Sequence, residues 1–246
     1  MAKFEWTYGI QSVLKLLEQS PERLLEVWIE ESRKTETIGR LCAQQAIALV
    51  RCKPKTLERH LGDVVHQGVA AKTIPLPAST ESDLLVRAEQ LGLQACFLIL
   101  DGVTDPHNLG ACFRSVAAFG FHGIVVPKDH SVGLTPAVRK VACGAVDLIP
   151  FYQVTNLARC LTELKNIGVW VKGSVCDEQA KPMDQLDFTS ALALVMGSEG
   201  EGLRRLTQER CDELFYIPMQ GKIESLNVSV ATGICCYEVM RQRKLH

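Results

Sequence analysis

The feature that most constrains the fold is a series of short apolar runs in the second half of the chain. Six of them follow Cys96, at residues 97–100, 124–126, 148–149, 169–171, 192–195 and 214–217. Strands that are apolar on both faces are typical of a parallel sheet covered by helices. Helices are predicted between several of these runs, near residues 108–119, 135–143, 155–166 and 225–243. The pattern therefore predicts an α/β fold with a parallel sheet.

The first part of the chain is predicted to form a smaller α/β unit. It alternates helices at 9–17, 38–46 and 54–61 with strands at 25–29, 47–52 and 64–71. Residues 73–88 then change composition, with Pro75 and Pro77 before Ser79 and Thr80, which is typical of a linker. We therefore predict a domain at 1–72, a linker at 73–94 and a second domain at 95–246.

The composition is that of a globular protein rather than a membrane protein. The chain has 246 residues, of which 47% are hydrophobic and 22% charged. No apolar run approaches the roughly 18 residues that span a bilayer. The first residues lack the apolar segment of a signal peptide. We therefore expect a cytoplasmic protein.

Ten cysteines and six histidines give no sign of a disulfide framework or a metal site. The cysteines are scattered singly apart from Cys235 and Cys236, and there is no CxxC pair. Cys96, Cys112, Cys143 and Cys211 lie where a small core residue is expected. A reducing compartment fits this usage, and no structural metal is predicted.

The charge argues against a protein that coats nucleic acid by bulk electrostatics. The net charge is −1, although residues 1–72 carry 11 Lys and Arg against 9 Asp and Glu. The densest basic patch is Arg51, Lys53, Lys55 and Arg59. A solvated surface and a local RNA contact are both open for this patch.

Three loop segments carry the candidate chemistry. Residues 101–110 run into Arg114, residues 194–203 contain two close glycines, and residues 217–233 lead into the last helix. No P-loop pattern is present, and Gly200 and Gly202 lack the third glycine of a dinucleotide fingerprint. Glu199 and Glu201 would repel a phosphate, so a cationic ligand suits this loop better.

Taken in this order, the three segments resemble the three motifs of the SpoU/TrmH family of RNA ribose 2′-O-methyltransferases, within the knotted SPOUT class. The resemblance covers nearly the whole chain and is strongest from Phe97 to Arg243. It implies a deep trefoil knot in the C-terminal domain, which the sequence pattern itself does not predict. It also implies an L30-like N-terminal domain that holds RNA, a homodimer, and S-adenosyl-L-methionine as methyl donor.

The resemblance places the cofactor against the second and third segments. Glycines allow a ligand to approach the backbone, and apolar side chains can form walls beside an adenine. Gly197, Ile217 and Leu226 correspond to the family's cofactor contacts, and neighbouring loop residues complete the set. The predicted cofactor-binding residues are Met196, Gly197, Gly200, Ile217, Pro218 and Leu226.

The resemblance assigns five residues to the active site: Asn108, Arg114, Glu199, Ser225 and Asn227. Chemically, Arg114 can clamp a phosphate and lower the pKa of a nearby hydroxyl, whereas a guanidinium holds its proton too firmly to be an effective base. We expect the two asparagines to orient loop and substrate, Ser225 to hydrogen-bond the RNA, and Glu199 to fix Arg114 or the loops. Seen singly, each could be an ion pair, a helix cap or a solvated charge.

The favoured hypothesis is methylation of a guanosine ribose in the peptidyl-transferase region of 23S rRNA, which the resemblance implies. A tRNA ribose 2′-O-methyltransferase is an alternative within the same class. A non-catalytic RNA-binding assembly factor is an alternative from another class. The additional N-terminal domain favours the rRNA substrate.

Overall fold

The chain folds into two compact units, residues 1–77 and 78–246. The computed structural model describes residues 4–32, 35–53, 55–62, 64–74, 79–177, 179–221, 223 and 225–244. None of the helices in those ranges is both long and apolar enough to cross a bilayer.

The N-terminal unit (residues 1–77) contains a four-stranded sheet. Its strands are β1 (Glu5–Tyr8), β2 (Leu24–Glu30), β3 (Leu49–Cys52) and β4 (Val69–Thr73), in the order β1-β4-β2-β3. Its helices are α1 (Ile10–Gln19), α2 (Glu36–Gln44) and α3 (Thr56–Leu61). Strands β2 and β3 are parallel, and β4 is antiparallel to both β1 and β2.

Side-chain alternation explains how this small sheet is covered. Val27 and Ile29 of β2 are buried with Leu17 of α1 and Ile38 of α2. The intervening Trp28 points to the other face, where its ring lies 5.0 Å from that of His60 in α3. Thus helices lie on both faces of the sheet.

The predicted elements of this unit agree with the structure except at two strands. Strand β1 was not predicted, because residues 5–8 are too short a run to show alternation. The strand predicted at 64–71 begins only at Val69, after a turn in which Gln67 and Gly68 have positive φ angles. Pro54, predicted to open α3, lies outside the described residues.

The C-terminal unit (residues 78–246) is built on seven parallel strands in the order β7-β6-β5-β10-β8-β11-β9. The strands are β5 (Cys96–Asp101), β6 (Ile124–Pro127), β7 (Phe151–Val154), β8 (Trp170–Ser174), β9 (Lys181–Pro182), β10 (Leu192–Gly197) and β11 (Glu213–Tyr216). The helices are α4 (Glu81–Leu91), α5 (Pro106–Phe119), α6 (Pro136–Ala142), α7 (Leu157–Asn166), α8 (Arg205–Arg210) and α9 (Val228–Lys244).

Helices cover both faces of this sheet, as the apolar runs predicted. In β5, Leu98 and Leu100 pack into a core that includes Phe113 of α5 and Val239 of α9. The alternate residues Phe97 and Ile99 pack into a second core, which includes Leu84 of α4 and Leu161 of α7. The α/β fold with a parallel sheet is therefore confirmed.

The strand predicted at residues 148–149 is wrong. Residues 145–147 form a short 3-10 turn after Gly144, which has a φ of 86°, and β7 starts only at Phe151. Ile149 is apolar because it packs against the core from this turn, not because it belongs to a strand.

The structure differs from the predicted linker at residues 73–94. Helix α4 lies inside that range and is closed at its start by a capping box between Thr80 and Asp83. Leu84 and Ala88 of α4 are buried in the C-terminal unit. The sequence signal came from the short polar start of this helix and from Pro75 and Pro77, which lie outside the described residues.

Most of the cysteines are core residues, as predicted. Burial raises the pKa of the Cys96, Cys112 and Cys235 thiols to about 12, so they are protonated and unreactive near neutral pH. Cys143 is an exception to the prediction, because it is exposed at the end of α6. It has a φ of 49° there and serves as the C-cap.

Candidate active site

The three candidate loop segments meet at the carboxyl edge of the parallel sheet. The first follows β5, the second follows β10 and the third follows β11. Strand β10 pairs with β5 on one side and with β8 on the other, and β8 pairs with β11. Open α/β sheets bind ligands at this edge, where the loops of neighbouring strands converge.

A hydrogen-bond network joins one residue from each segment. Glu199 Oε1 accepts hydrogen bonds from Asn108 Nδ2 at 3.2 Å, from Asn227 Nδ2, and from the Val228 amide at 3.4 Å. Asn227 Nδ2 also donates to Asn108 Oδ1 at 3.0 Å. Asn108 is buried, so this carboxylate and the two amides form a fixed triad of side chains.

The helix starts that carry these residues are capped by neighbouring side chains. Asp105, rather than Asn108, caps α5 by accepting from the His107 amide at 2.9 Å, and this bond lowers the pKa of Asp105. Asn227 caps α9 by accepting from the amides of Ser229 and Val230. A helix cap was one of the roles that the sequence left open for Asn227, and Asn227 has it; Asn108 does not cap its helix and donates to Glu199 instead.

The loop after β10 is a tight hairpin that folds back over Gly197. Ser198 and Gly202 exchange backbone hydrogen bonds of 3.1 and 3.0 Å, and Gly200 at the tip has a φ of 84°. A Cβ built on Gly197 would lie 2.2 Å from the carbonyl carbon of Gly202. A glycine at position 197 is therefore required by its own hairpin, and its predicted contact with the cofactor stays a prediction.

An ion pair connects this hairpin to the loop after β5. The Arg204 amide donates to Asp101 Oδ2 at 3.0 Å, and Arg204 Nε lies 3.5 Å from Asp101 Oδ1. The Asp101 side chain is fully buried at the end of β5. The sequence analysis missed this pair. The one signal that could have indicated it is the position of Asp101, a carboxylate at the end of an apolar strand.

Two neighbouring cavities open at this edge of the sheet, with volumes of about 910 and 310 Å³. The predicted cofactor residues Met196, Gly197, Gly200 and Leu226 line the larger one, and Ile217 and Leu226 line the smaller one. Pro218 does not line either of them. Ser225 lines both cavities rather than joining the Glu199 network.

The tail of β8 is a part of the site that sequence reasoning missed. Ser174, Val175 and Cys176 line both cavities. They do so because β8 lies between β10 and β11 in the sheet. No motif marks these residues, and the strand order cannot be read from the sequence.

Arg114 lies apart from the Glu199 network. It is exposed and has no ion pair or hydrogen bond among the described residues. Arg114 lies six positions after Asn108 along α5, which places the two about 120° apart around the helix. Of the two roles expected for Glu199, a contact with Arg114 is therefore absent among the described residues, whereas hydrogen bonds that hold the loops together are present.

Comparison with known families agrees with this geometry. The model of the SpoU rRNA Methylase family matches residues 95–237. The chain belongs to this family. A second family model, described as RNA 2′-O ribose methyltransferase substrate binding, matches residues 6–78 of this chain. The family inferred from the three motifs is thereby confirmed.

Two curated relatives of this SpoU family member match it over nearly their whole length. The 23S rRNA (guanosine-2′-O-)-methyltransferase RlmB of Coxiella burnetii is 45% identical over 99% of this chain and 98% of its own. That of Escherichia coli K12 is 46% identical over 97% of this chain and 99% of its own.

Solved structures share the fold at lower identity. The SpoU methyltransferase AviRb from Streptomyces viridochromogenes, solved with its cofactor AdoMet, has a TM-score of 0.79 and 20% identity. The match covers 99% of this chain and 92% of that one. Both units of this SpoU family member therefore share their folds with that solved structure.

Proposed function

We propose that this protein is an S-adenosylmethionine-dependent RNA methyltransferase that modifies the ribose 2′-hydroxyl of a guanosine in 23S rRNA. The network of Asn108, Glu199 and Asn227 carries the proposal, because it unites the three loops beside a large cavity. The full-length relatives named for this reaction support the substrate. A target in the peptidyl-transferase region and a cytoplasmic location belong to the same proposal.

The residues of the site fit S-adenosylmethionine, which supplies an electrophilic methyl group on a sulfonium cation. The 910 Å³ cavity is lined by carboxylates such as Asp177 and Glu201, and no lysine or arginine is among its described lining residues. Leu226 and Ile217 add apolar surface for an adenine. A cationic, partly apolar ligand therefore matches the cavity better than a phosphate does.

The protein's own residues would act on the ribose by positioning and by charge. Glu199 holds the Asn108 and Asn227 amides in place before substrate arrives, so their orientation costs little when the RNA binds. Arg114, the one Lys or Arg in α5, is unpaired among the described residues and can bind a phosphate bidentately. Its charge would stabilise the 2′-oxygen as that atom becomes negative.

A bulky side chain in the loop after β8 should weaken cofactor binding strongly without disturbing the hairpin. Cys176 is exposed and lines both cavities, so the indole of Cys176→Trp should occupy space in them. Calorimetric titration with S-adenosylhomocysteine should show at least a tenfold loss of affinity. Cys143→Trp, at an exposed cysteine outside both cavities, is the matched control. Equal affinity of the two variants for S-adenosylhomocysteine would show that these two cavities are not the cofactor site.

The N-terminal unit is proposed to hold RNA through its basic patch. Lys53, Lys55 and Arg59 are exposed and have no ion pair among the described residues, whereas Arg51 is paired with Glu31. Each phosphate contact releases counterions and makes the slope of log K against log salt more negative by about 0.7 to 0.9. Unpaired cations are therefore available for phosphates.

Reversing these three charges to Glu should weaken RNA binding and flatten its salt dependence, while leaving affinity for S-adenosylhomocysteine unchanged. Filter binding across a salt series measures the RNA affinity and its salt dependence, and calorimetry measures the affinity for S-adenosylhomocysteine. Arg40→Glu on α2, which packs against the other face of the sheet, is the control. Unaltered RNA affinity in the triple variant would mean that the patch is only a solvated surface.

A homodimer through α9 and its neighbour α5 is also proposed. Val230, Ile234 and Tyr237 are 51, 38 and 52% exposed and lie on one side of α9 at helical spacing. The Tyr237 ring packs at 6.0 Å on that of Phe119 in α5, which extends this apolar surface across both helices. A C₂ dimer would bury it.

Light scattering at micromolar concentration should report twice the 27.2 kDa chain mass. Tyr237→Glu should shift the protein to the monomer, because a charge would be buried at the contact. Val86→Glu, at an equally exposed apolar residue of α4, should leave the dimer intact. A wild-type mass of one chain would exclude the dimer.

The proposed reaction is tested by mass spectrometry of rRNA and tRNA from a strain that lacks the gene. One 2′-O-methylguanosine should be missing from 23S rRNA, and its position identifies the target. Loss of a ribose methyl from tRNA would favour the tRNA alternative. Unchanged modification of both RNAs would favour the non-catalytic assembly factor.

A further inference from the structure

A third cavity adjoins the Glu199 network on the carboxyl edge of the C-terminal unit. It has a volume of about 610 Å³, is open to solvent and is lined by the loops after β5, β6 and β10. Its lining includes Gly102, Thr104, His130, Glu199, Glu201 and Arg204. Ser198, Glu199 and Glu201 line both this cavity and the proposed cofactor cavity, so the hairpin at 198–202 forms a wall of each.

The polar groups of this cavity fall into a fixed set and a free set. Glu199 is occupied by the two asparagines, and Arg204 is held by the buried Asp101. In contrast, Thr104, His130 and Glu201 are exposed and have no hydrogen bond or ion pair among the described residues. The cavity therefore combines a rigid wall with three unused polar side chains.

The geometry points to this cavity as the site for the base of the target guanosine, with Glu201 as the residue that recognises guanine. This inference rests on the proposed function. Guanine presents its N1–H and 2-amino group as adjacent donors, and a carboxylate can accept from both. Adenine has an acceptor at N1 and no 2-amino group, so it would leave the carboxylate unpaired. Thr104 and His130 can donate to the O6 and N7 acceptors of guanine.

The spacing along the hairpin suits a single nucleoside. Two residues of extended chain cover at most about 7 Å, so the Glu199 and Glu201 backbones are no farther apart than this. A ribose beside the Glu199 network thus places its own base next to Glu201. Glu199 contributes through the positions of Asn108 and Asn227, whereas Glu201 contacts the base.

A double-mutant cycle between protein and RNA tests the inference. The RNA is a 23S rRNA fragment with either guanosine or inosine at the methylated position, since inosine lacks only the 2-amino group. For the wild-type protein, kcat/KM with inosine should fall about tenfold to a hundredfold, the usual effect of losing one hydrogen bond to a charged group. For Glu201→Ala, kcat/KM with guanosine should fall by at least this factor, because the hydrogen bonds from N1–H and from the 2-amino group are both lost, and the preference for guanosine over inosine should disappear.

Glu201→Gln serves as a second variant of nearly unchanged shape, and its preference for guanosine should fall to less than a third of the wild-type value. Glu209→Ala removes an exposed carboxylate of α8 outside the cavity and should keep that preference. A full preference for guanosine in Glu201→Ala, or equal wild-type rates on the two RNAs, would overturn the role of Glu201. A wild-type protein that methylates neither RNA would instead contradict the proposed function, and the inference with it.

Discussion

Replacing Arg114 with alanine should lower the rate of methyl transfer at least about a hundredfold, while affinity for S-adenosylmethionine stays within a few-fold. The guanidinium is exposed, is unpaired among the described residues and is the one Lys or Arg of α5. A charge of this kind acts mainly on the transition state, where the 2′-oxygen gains negative character. Its removal should therefore affect turnover more than cofactor binding.

Single-turnover methyl transfer at saturating RNA and cofactor measures this effect directly. Arg114→Lys keeps the charge but not the planar fork, and should remain strongly impaired. Arg205→Ala removes an exposed arginine that pairs with Glu209 on α8, and should retain the wild-type rate. A near-wild-type rate for Arg114→Ala would refute this role while leaving the fold assignment intact.

Replacing Glu199 with alanine should also lower the rate of methyl transfer, on the order of a hundredfold. The substitution removes the acceptor that orients Asn108 and Asn227, so both amides lose their fixed direction. Because Asn108 is buried, its unpaired amide should also cost about 1–2 kcal/mol in the free energy of unfolding. Cofactor affinity should change less than the rate.

Three measurements on purified variants separate these effects. Single-turnover kinetics gives the rate, calorimetry gives the cofactor affinity, and urea denaturation gives the free energy of unfolding. Glu209→Ala is the control, because this exposed glutamate pairs with Arg205 outside the site. Wild-type kinetics for Glu199→Ala would show that the network has a structural role alone.

The sequence predicted most of the fold because burial on two faces leaves a strong signal. Runs such as 97–100 and 192–195 form the central strands β5 and β10, which helices cover on both faces. The errors occurred where that signal is ambiguous. Residues 148–149 are apolar in a turn, and β9 is two residues long, too short to show a pattern.

The candidate site was predicted in part. The family resemblance assigned Asn108, Glu199 and Asn227 to the site, and the structure brings these three within hydrogen-bonding distance. The tail of β8 depends on strand order, which the sequence does not encode locally. The requirement for glycine at position 197 arises from a hairpin that folds over it, which the sequence does not show. The trefoil knot implied by the resemblance stays a prediction.

The most direct test of the central claim is methyl transfer by the purified protein. 23S rRNA from a strain lacking the gene is incubated with the protein and S-adenosylmethionine that carries a deuterated methyl group. Nucleoside mass spectrometry should then find the label in 2′-O-methylguanosine, at one position of 23S rRNA. Label on a base or on another nucleoside, or an unlabelled RNA, would contradict the account.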